Sequence, residues 1–159
     1  MILVTGGTGF IGQVLIRQLV EAGYPVRTLI RPSNLSPNLP AGISVEVALA
    51  SLKDVRGLRA AMVGVDSVIH LAGVERRGVE ADLLEIEIQG TRNVIEASVD
   101  AGVDRLFFLS HLGTDRASAF PLLKAKAIVE EHIRRSGIDY TIIRSAVAFG
   151  PNDGFSSGL

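Results

Sequence analysis

The sequence predicts a doubly wound α/β domain, in which a parallel sheet of about six strands carries helices on both faces. Segments with the apolar runs of strands alternate with segments whose apolar residues recur at helical spacing. Strand-like runs such as 106–109, Leu-Phe-Phe-Leu, are apolar throughout, which is typical of parallel strands covered on both sides. No internal repeat or linker divides the 159 residues, so we expect a single domain over 1–159.

The predicted strands are apolar runs bounded by glycine, proline or short polar residues. The first begins at the start of the chain, and Pro25 introduces the second. Between the second and third strands, the proline- and asparagine-rich stretch 32–40 is a loop by composition. In chain order, the predicted strands are 1–4, 26–30, 43–49, 67–72, 105–110 and 139–144.

The helices are predicted by apolar residues that recur every three or four positions, and by glycines suited to the left-handed residue that ends a helix. Three of them, each with its terminating glycine, are 11–20 with Gly23, 80–100 with Gly102, and 122–135 with Gly137. A shorter helix follows the third strand, where Ser51 and Asp54 resemble a capping box. Its expected buried face consists of Leu52, Val55, Leu58 and Met62.

The glycine-rich turn after the first strand is the strongest functional signal, and it reads TGGTGFIG at 5–12. Gly6 permits the tight turn, Gly9 leaves room for a pyrophosphate at a helix N-terminus, and Gly12 is expected to let that helix pack closely on the sheet. Because a strand precedes and a helix follows, we predict a dinucleotide site rather than a purely structural turn, which is the alternative. The predicted contacts are Gly6, Thr8, Gly9, Phe10, Ile11 and Gly12.

Composition excludes several classes of function. The formal net charge is −1, so no basic excess is available to bind nucleic acid. The chain has no cysteine, which excludes disulfides, thiolate zinc sites and a thiol nucleophile. Its histidines, His70, His111 and His132, lack metal-ligand spacing, so no metal site is expected. No apolar run approaches the roughly 20 residues of a membrane span, and the first strand begins where a signal peptide would lie, so we expect a cytoplasmic protein.

The residue at the end of the second strand bears on the choice of dinucleotide. An acid there would hydrogen-bond the ribose 2′-hydroxyl of NAD, whereas an arginine suits the 2′-phosphate of NADP. The residue present is Arg31, and no Asp or Glu occurs between Gly23 and Pro40. This favours NADP(H) over NAD(H); the alternative is that Arg31 is a solvated loop residue.

Four motifs together resemble the extended and atypical short-chain dehydrogenases/reductases, whose NAD(P)-binding domain is a Rossmann fold. They are TGGTGFIG at 5–12, VIHLAG at 68–73, GTRNVIEA at 90–97, and YTIIR at 140–144 leading to FGP at 149–151. SHLG at 110–113 and KAIVEE at 126–131 resemble the NmrA-like and complex I accessory-subunit-like branch.

The resemblance implies a nicotinamide dinucleotide, NAD or NADP, as the cofactor. It implies that Lys126 holds the nicotinamide ribose, the alternative being an exposed lysine on a helix rich in Lys and Glu. Where relatives place an acid after the third strand to contact adenine, this chain has Ser51, whose alternative role is to cap its helix. Further implied cofactor contacts lie at the ends of the fourth and fifth strands: Leu71, Ala72, Gly73 and Ser110.

The catalytic tyrosine of the family is missing. Family enzymes use a tyrosine four residues before the helix lysine as their acid/base. If Lys126 is that lysine, Leu122 stands in the tyrosine position, and the alternative register of Phe120 with Lys124 also lacks a hydroxyl. The chain's two tyrosines, Tyr24 and Tyr140, are followed four residues later by Thr28 and Arg144, so neither fits.

Other positions of the family's catalytic set also differ. Glu87 stands where many relatives carry asparagine, and His111 stands where they carry a catalytic Ser or Thr. His111 is either a replacement acid/base or a capping or packing residue. His70 is expected to be a core residue with its hydrogen bonds satisfied, and His132 is expected to face solvent.

Two functional classes therefore remain open. The first is a dinucleotide-binding protein without catalysis, in a sensor, regulatory or assembly role with a protein partner or as a homo-oligomer. The second is an NAD(P)-dependent oxidoreductase, or an epimerase or dehydratase, that uses His111, or assistance from its substrate, in place of the tyrosine, together with Lys126. The substrate-binding portion of relatives is expected to be largely missing after about residue 151, where the chain continues only to Leu159.

Overall fold

The computed structural model describes residues 1–33, 35–74, 83–150 and 153. Its strands are β1 (Ile2–Thr5), β2 (Val26–Ile30), β3 (Glu46–Leu49), β4 (Ser67–His70), β5 (Arg105–His111) and β6 (Asp139–Ser145). All neighbouring strands are parallel, in the order β3-β2-β1-β4-β5-β6. This is the predicted doubly wound sheet, whose strand order reverses direction between β1 and β4.

The helices are α1 (Phe10–Glu21), α2 (Val55–Ala61), α3 (Thr91–Asp100) and α4 (Pro121–Arg135). A π-helical segment, Leu83–Gly90, leads directly into α3. The long helix predicted over 80–100 therefore changes its hydrogen-bonding pattern at Gly90. Its first three predicted residues lie outside the described part of the chain. The same holds for Pro151 and 154–159, which belong to the predicted FGP motif and the end of the chain.

The two faces of the sheet carry separate cores, as side-chain alternation along a strand requires. On one face, Leu3, Val68 and Phe108 pack with apolar residues of α2, α3 and α4. On the other, Val4 and Val26 pack with Ile16 of α1 and a rim of half-buried side chains. The prediction of helices on both faces is confirmed.

Two predicted strands are shorter in the structure. The third was expected over 43–49, but pairing with β2 begins at Glu46, opposite Arg27. Ile43 and Val45 instead pack as half-buried loop residues on the α1 side. The fourth strand ends at His70 because its neighbour β1 ends at Thr5, and the next residues turn toward the glycine-rich loop.

The start of α2 differs from the predicted capping box. Asp54 is the cap, since its carboxylate accepts the Gly57 N–H at 2.9 Å, and the helix begins one residue later. Ser51 lies too far ahead of the first turn to cap it. Of the predicted buried face, Leu58 and Met62 are buried, whereas Val55 is 39% exposed because it is the first helical residue.

Candidate dinucleotide-binding site

The glycine-rich turn lies at the carboxyl end of β1 and contacts the loop after β4. Gly6 has φ +74°, and a Cβ on it would lie 2.7 Å from the Ala72 nitrogen. The Leu71 N–H donates to the Thr5 carbonyl at 3.1 Å. Gly6 is therefore required both by the left-handed backbone and by this close approach. The turn therefore lies against Leu71 and Ala72, and Gly73 follows them in the same loop.

Gly12 and Gly7 have packing roles that differ from the sequence-based expectation. A Cβ on Gly12 would lie 2.2 Å from the Gly6 carbonyl oxygen, so Gly12 packs against the turn itself rather than the sheet. The close approach to the sheet belongs to Gly7, where a Cβ would lie 2.3 Å from Thr28 Oγ1. Sequence reasoning missed Gly7 because it falls outside the three-residue spacing of the other glycines.

Neither a positive φ nor backbone packing as close as that at Gly6 and Gly12 requires a glycine at position 9. Its φ is −78°, and a Cβ on it would meet only the Gly6 carbonyl oxygen, at 3.3 Å. Gly9 is exposed at the N-terminus of α1, where no side chain caps the helix and no acid occupies the first turn. The first N–H groups of a helix have no acceptor within it and carry partial positive charge. The space over Gly9 and these donors fit a pyrophosphate.

His70 links the turn to the loop after β4. It is buried, with Nδ1 2.6 Å from Thr5 Oγ1 and Nε2 3.0 Å from Thr91 Oγ1. Thr5 Oγ1 also accepts the Ala72 N–H at 3.3 Å. Burial, together with the charge of Lys126, lowers the pKa of His70 to about 3, so the ring is neutral at pH 7. The prediction of a satisfied core histidine is confirmed.

Lys126 is buried, so the alternative of an exposed helix lysine is wrong. Its side chain is 4% exposed, and Nζ lies 2.8 Å from Glu87 Oε1 and 3.4 Å from the Leu109 carbonyl oxygen. The Phe108 ring centroid is 5.3 Å from the same nitrogen. Glu87 uses its other oxygen to accept the Val74 N–H at 3.0 Å. The position where relatives carry asparagine thus holds a buried carboxylate paired with the lysine.

Ser110 belongs to a second buried network. Its hydroxyl donates to Glu130 Oε1 at 2.6 Å, and Arg144 and Arg134 also donate to that carboxylate. Burial would raise the pKa of Glu130, but the hydrogen bonds from Arg144, Ser110 and Arg134 outweigh it and lower the pKa to about 2. The sequence signal for Glu130 was its i,i+4 spacing to Arg134, which alone predicts only a surface pair.

His111 lies at the carboxyl end of β5, half-buried, with Nδ1 2.7 Å from the Leu112 carbonyl oxygen. Successive residues of a strand point to opposite faces, and Ser110 faces α4 through Glu130. His111 therefore points away from the face that holds Lys126, and the structure does not bring these two candidate residues together.

The remaining predicted residues lie along the same edge or on α4. Arg31 is exposed just after β2, and Ser51 is half-buried just after β3. The Ala50 N–H donates to the Ile30 carbonyl at 3.0 Å, which places these two segments side by side. His132 is half-buried rather than solvent-facing, and burial and the charge of Arg92 lower its pKa.

Metal sites and membrane-spanning helices are both absent from residues 1–33, 35–74, 83–150 and 153. Those residues contain no group of three or more His, Asp or Glu side chains that would hold a metal ion. Nor does a helix among them combine the length and apolar character needed to cross a membrane.

Known proteins resemble this chain over most of its length. A family described as NAD(P)H-binding matches residues 6–152. The photosystem II assembly factor Ycf39 of Cyanophora paradoxa is 27% identical over 90% of this chain and 44% of its own length. The ceramide reductase of Caulobacter vibrioides is 28% identical over 100% of this chain and 50% of its own length.

A solved structure shows the same similarity. A short-chain dehydrogenase/reductase superfamily protein from Agrobacterium tumefaciens, with bound NAD, has a TM-score of 0.74 and 28% identity, covering 91% of this chain and 48% of that chain. This chain thus spans about half the length of the relatives it matches.

Proposed function

This chain belongs to the NAD(P)H-binding family, within the short-chain dehydrogenase/reductase superfamily, and we propose a more specific role for it. It binds NADP(H) in preference to NAD(H) and does not catalyse hydride transfer. Its role is that of a sensor, regulatory or assembly protein.

The cofactor site is supported by Gly9, which is exposed and where a Cβ would meet a single protein atom, the Gly6 carbonyl oxygen at 3.3 Å. The pyrophosphate would meet the N–H groups at the start of α1, the 2′-phosphate would meet Arg31, and the adenine would lie near Ser51. When bound, the nicotinamide ring supplies the hydride chemistry of the family. The residues of this chain bind and orient the dinucleotide.

The non-catalytic role is supported by one observation: the position one helical turn before Lys126 is occupied by Leu122. Neither tyrosine of the chain substitutes for the missing phenol. Tyr24 lies between α1 and β2, at the amino edge of the sheet, and Tyr140 pairs with Leu106 near the start of β6. The glycine-rich turn is at the opposite, carboxyl edge. No phenol is therefore available to exchange a proton with a substrate at that edge.

An assembly or regulatory role has independent support from the relative named as a photosystem II assembly factor. Such a role needs a stable dinucleotide-bound form but no acid/base. A protein partner or a second copy of the chain would then respond to the bound cofactor.

The second candidate function is an NAD(P)-dependent oxidoreductase, or an epimerase or dehydratase, with His111 as the acid/base. It is supported by the half-exposed position of His111 at the carboxyl edge and by the relative named as a ceramide reductase. Because His111 and Lys126 lie on opposite faces of β5, this function would use His111 without the lysine.

Two measurements on the same preparation test the proposal. Titration calorimetry with NADPH and NADH is expected to give binding, tighter for NADPH. Oxidation of NADPH is expected to stay at the background rate across a panel of carbonyl substrates. Turnover that His111→Ala abolishes would overturn the non-catalytic role and support the second function. Absence of binding would overturn both.

A further inference from the structure

The carboxylate of Glu87 is fully engaged inside the protein. One oxygen lies 2.8 Å from Lys126 Nζ and the other accepts the Val74 N–H at 3.0 Å. The side chain is 0% exposed. Glu87 therefore joins the π-helical segment to α4 and to the loop after β4. That loop is the one that carries Gly73 at the edge of the candidate site.

Lys126 is engaged to the same degree. Its ammonium has Glu87 and the Leu109 carbonyl as acceptors, and the Phe108 ring lies beside it. The side chain is 4% exposed. To reach a ribose hydroxyl, Lys126 would have to leave Glu87 as a buried carboxylate without its cation, which is among the costliest changes in a protein interior. A neutral ribose hydroxyl offers a weaker partner than the carboxylate that it would replace.

From this geometry we propose that Glu87 withholds Lys126 from the bound dinucleotide, so that this site recognises the ADP portion of its ligand and gains little from the nicotinamide nucleoside, its ribose included. The inference rests on the proposed function and narrows its ligand class. The ligands are adenosine diphosphates, with or without a nicotinamide riboside on the second phosphate. Glu87 is the residue that determines this specificity, acting through Lys126.

The first experiment needs no variant. Calorimetry on the unmodified chain compares NADPH with 2′-phospho-ADP, which lacks the nicotinamide and its ribose, and NADH with ADP as the pair without the 2′-phosphate. Within each pair, the dissociation constants are expected to agree within about threefold. NADPH binding tenfold or more tightly than its fragment would overturn the inference and leave the proposed function standing. Binding of neither ligand would overturn the proposed function, and the inference with it.

The second experiment releases the lysine. Glu87→Asn introduces the shorter, uncharged residue found in many relatives, and NADPH is then expected to bind about tenfold more tightly, while 2′-phospho-ADP is unchanged. Adding Lys126→Met to that variant is expected to remove the gain. The matched control is Glu85→Asn, on the same segment, whose exposed side chain pairs with Lys53 at the surface. That control is expected to change neither affinity.

A third variant covers the case in which Glu87→Asn does not fold. Lys126→Met alone is expected to leave the ratio of the NADPH and fragment dissociation constants within about threefold of its original value. The ratio should stay constant because a lysine that does not touch the ligand changes the affinities for NADPH and for the fragment together, or changes neither. Loss of NADPH affinity alone, by tenfold or more, would mean that Lys126 already contacts the nicotinamide half, and the inference would be overturned.

Discussion

Lys126 and Glu87 form an ion pair of 2.8 Å inside the protein, with side chains only 4% and 0% exposed. The pair connects the middle of α4 to the π-helical segment. Glu87 also contacts the loop after β4, because it accepts the Val74 N–H. The buried ring of His70 lies close enough for the charge of Lys126 to lower its pKa. Lys126, which the family resemblance assigns to cofactor contact, is here part of the interior.

Removing one partner of the Lys126–Glu87 ion pair should destabilise the fold. Lys126→Met is expected to lower the free energy of unfolding by about 3–5 kcal/mol, because it leaves the Glu87 carboxylate buried without its cation. The double variant Glu87→Leu with Lys126→Met removes both charges and should be more stable than the single variant. Urea denaturation measures the three proteins. A double variant less stable than Lys126→Met would contradict this account of the pair.

Gly9→Val should remove dinucleotide binding without unfolding the chain. The branched side chain enters the space that the pyrophosphate needs, while the cost at the helix start is about 1 kcal/mol. The contrasting control is Gly12→Ala, whose methyl group would lie 2.2 Å from the Gly6 carbonyl oxygen and should destabilise the fold. Calorimetry with NADPH and thermal unfolding report the two effects. Equal NADPH affinity in Gly9→Val and the original chain would refute the site.

Arg31 should account for the preference between the two dinucleotides. A charge-assisted contact to the 2′-phosphate is worth about 1.5–3 kcal/mol, so NADPH should bind tighter than NADH by that amount. Arg31→Ala should remove most of the difference. The control is Arg105→Ala, since Arg105 lies at the amino edge of the sheet and pairs with Asp139. An original chain that prefers NADH would leave Arg31 as a loop residue.

Restoring the missing phenol should create activity only when the lysine is also released. General acid catalysis contributes about 10²–10⁴-fold, so the original chain should lack that factor. Leu122→Tyr combined with Glu87→Asn should oxidise NADPH with a carbonyl substrate faster than either single variant. Leu123→Tyr, one position along α4, is the control for register. Equal rates with Tyr at 122 and at 123 would show that the lysine register is wrong.

Stability should fall as the pH drops below 6.5, because of His70. The folded chain does not protonate this ring until about pH 3, whereas the unfolded chain takes up the proton near pH 6.5. The unfolded state therefore binds more protons in that window, and the free energy of unfolding should decrease by about 1.4 kcal/mol per pH unit. Between pH 6.5 and 5 the Glu130 carboxyl, with its pKa lowered from 4.5 to about 2, does not contribute.

Chemical denaturation across pH 5–7 tests this prediction with His70→Gln, which keeps polar groups in place but does not titrate. Its pH dependence should be flatter than that of the original chain. His132→Gln is the comparison, and the smaller change expected there follows from its half-buried position. An unchanged slope in His70→Gln would assign the acid sensitivity to another group.

Local sequence patterns were enough to predict the fold class and the location of the candidate site. The apolar strands, the helical stripes and the glycine-rich turn are local patterns, and each depends on residues within a few positions of one another. The parallel sheet, the alternation of helices and the close approach at Gly6 follow from them. The buried, satisfied state of His70 was likewise readable, because an isolated histidine in an apolar strand must face the core.

The contacts of the polar residues at the site could not be predicted in this way, because they depend on tertiary packing. Glu87 and Lys126 are 39 residues apart, and Ser110 and Glu130 are 20 apart, so neither pairing has a local signal. Each depends on how α4 packs against the π-helical segment and β5, which sets whether a charge meets water or an opposite charge. From the sequence alone, Lys126 could be an exposed helix residue or a cofactor contact, because its burial depends on that packing. Burial and the choice of partner depend on how the layers of the fold pack together. In this protein that packing places Lys126 in the interior, paired with Glu87.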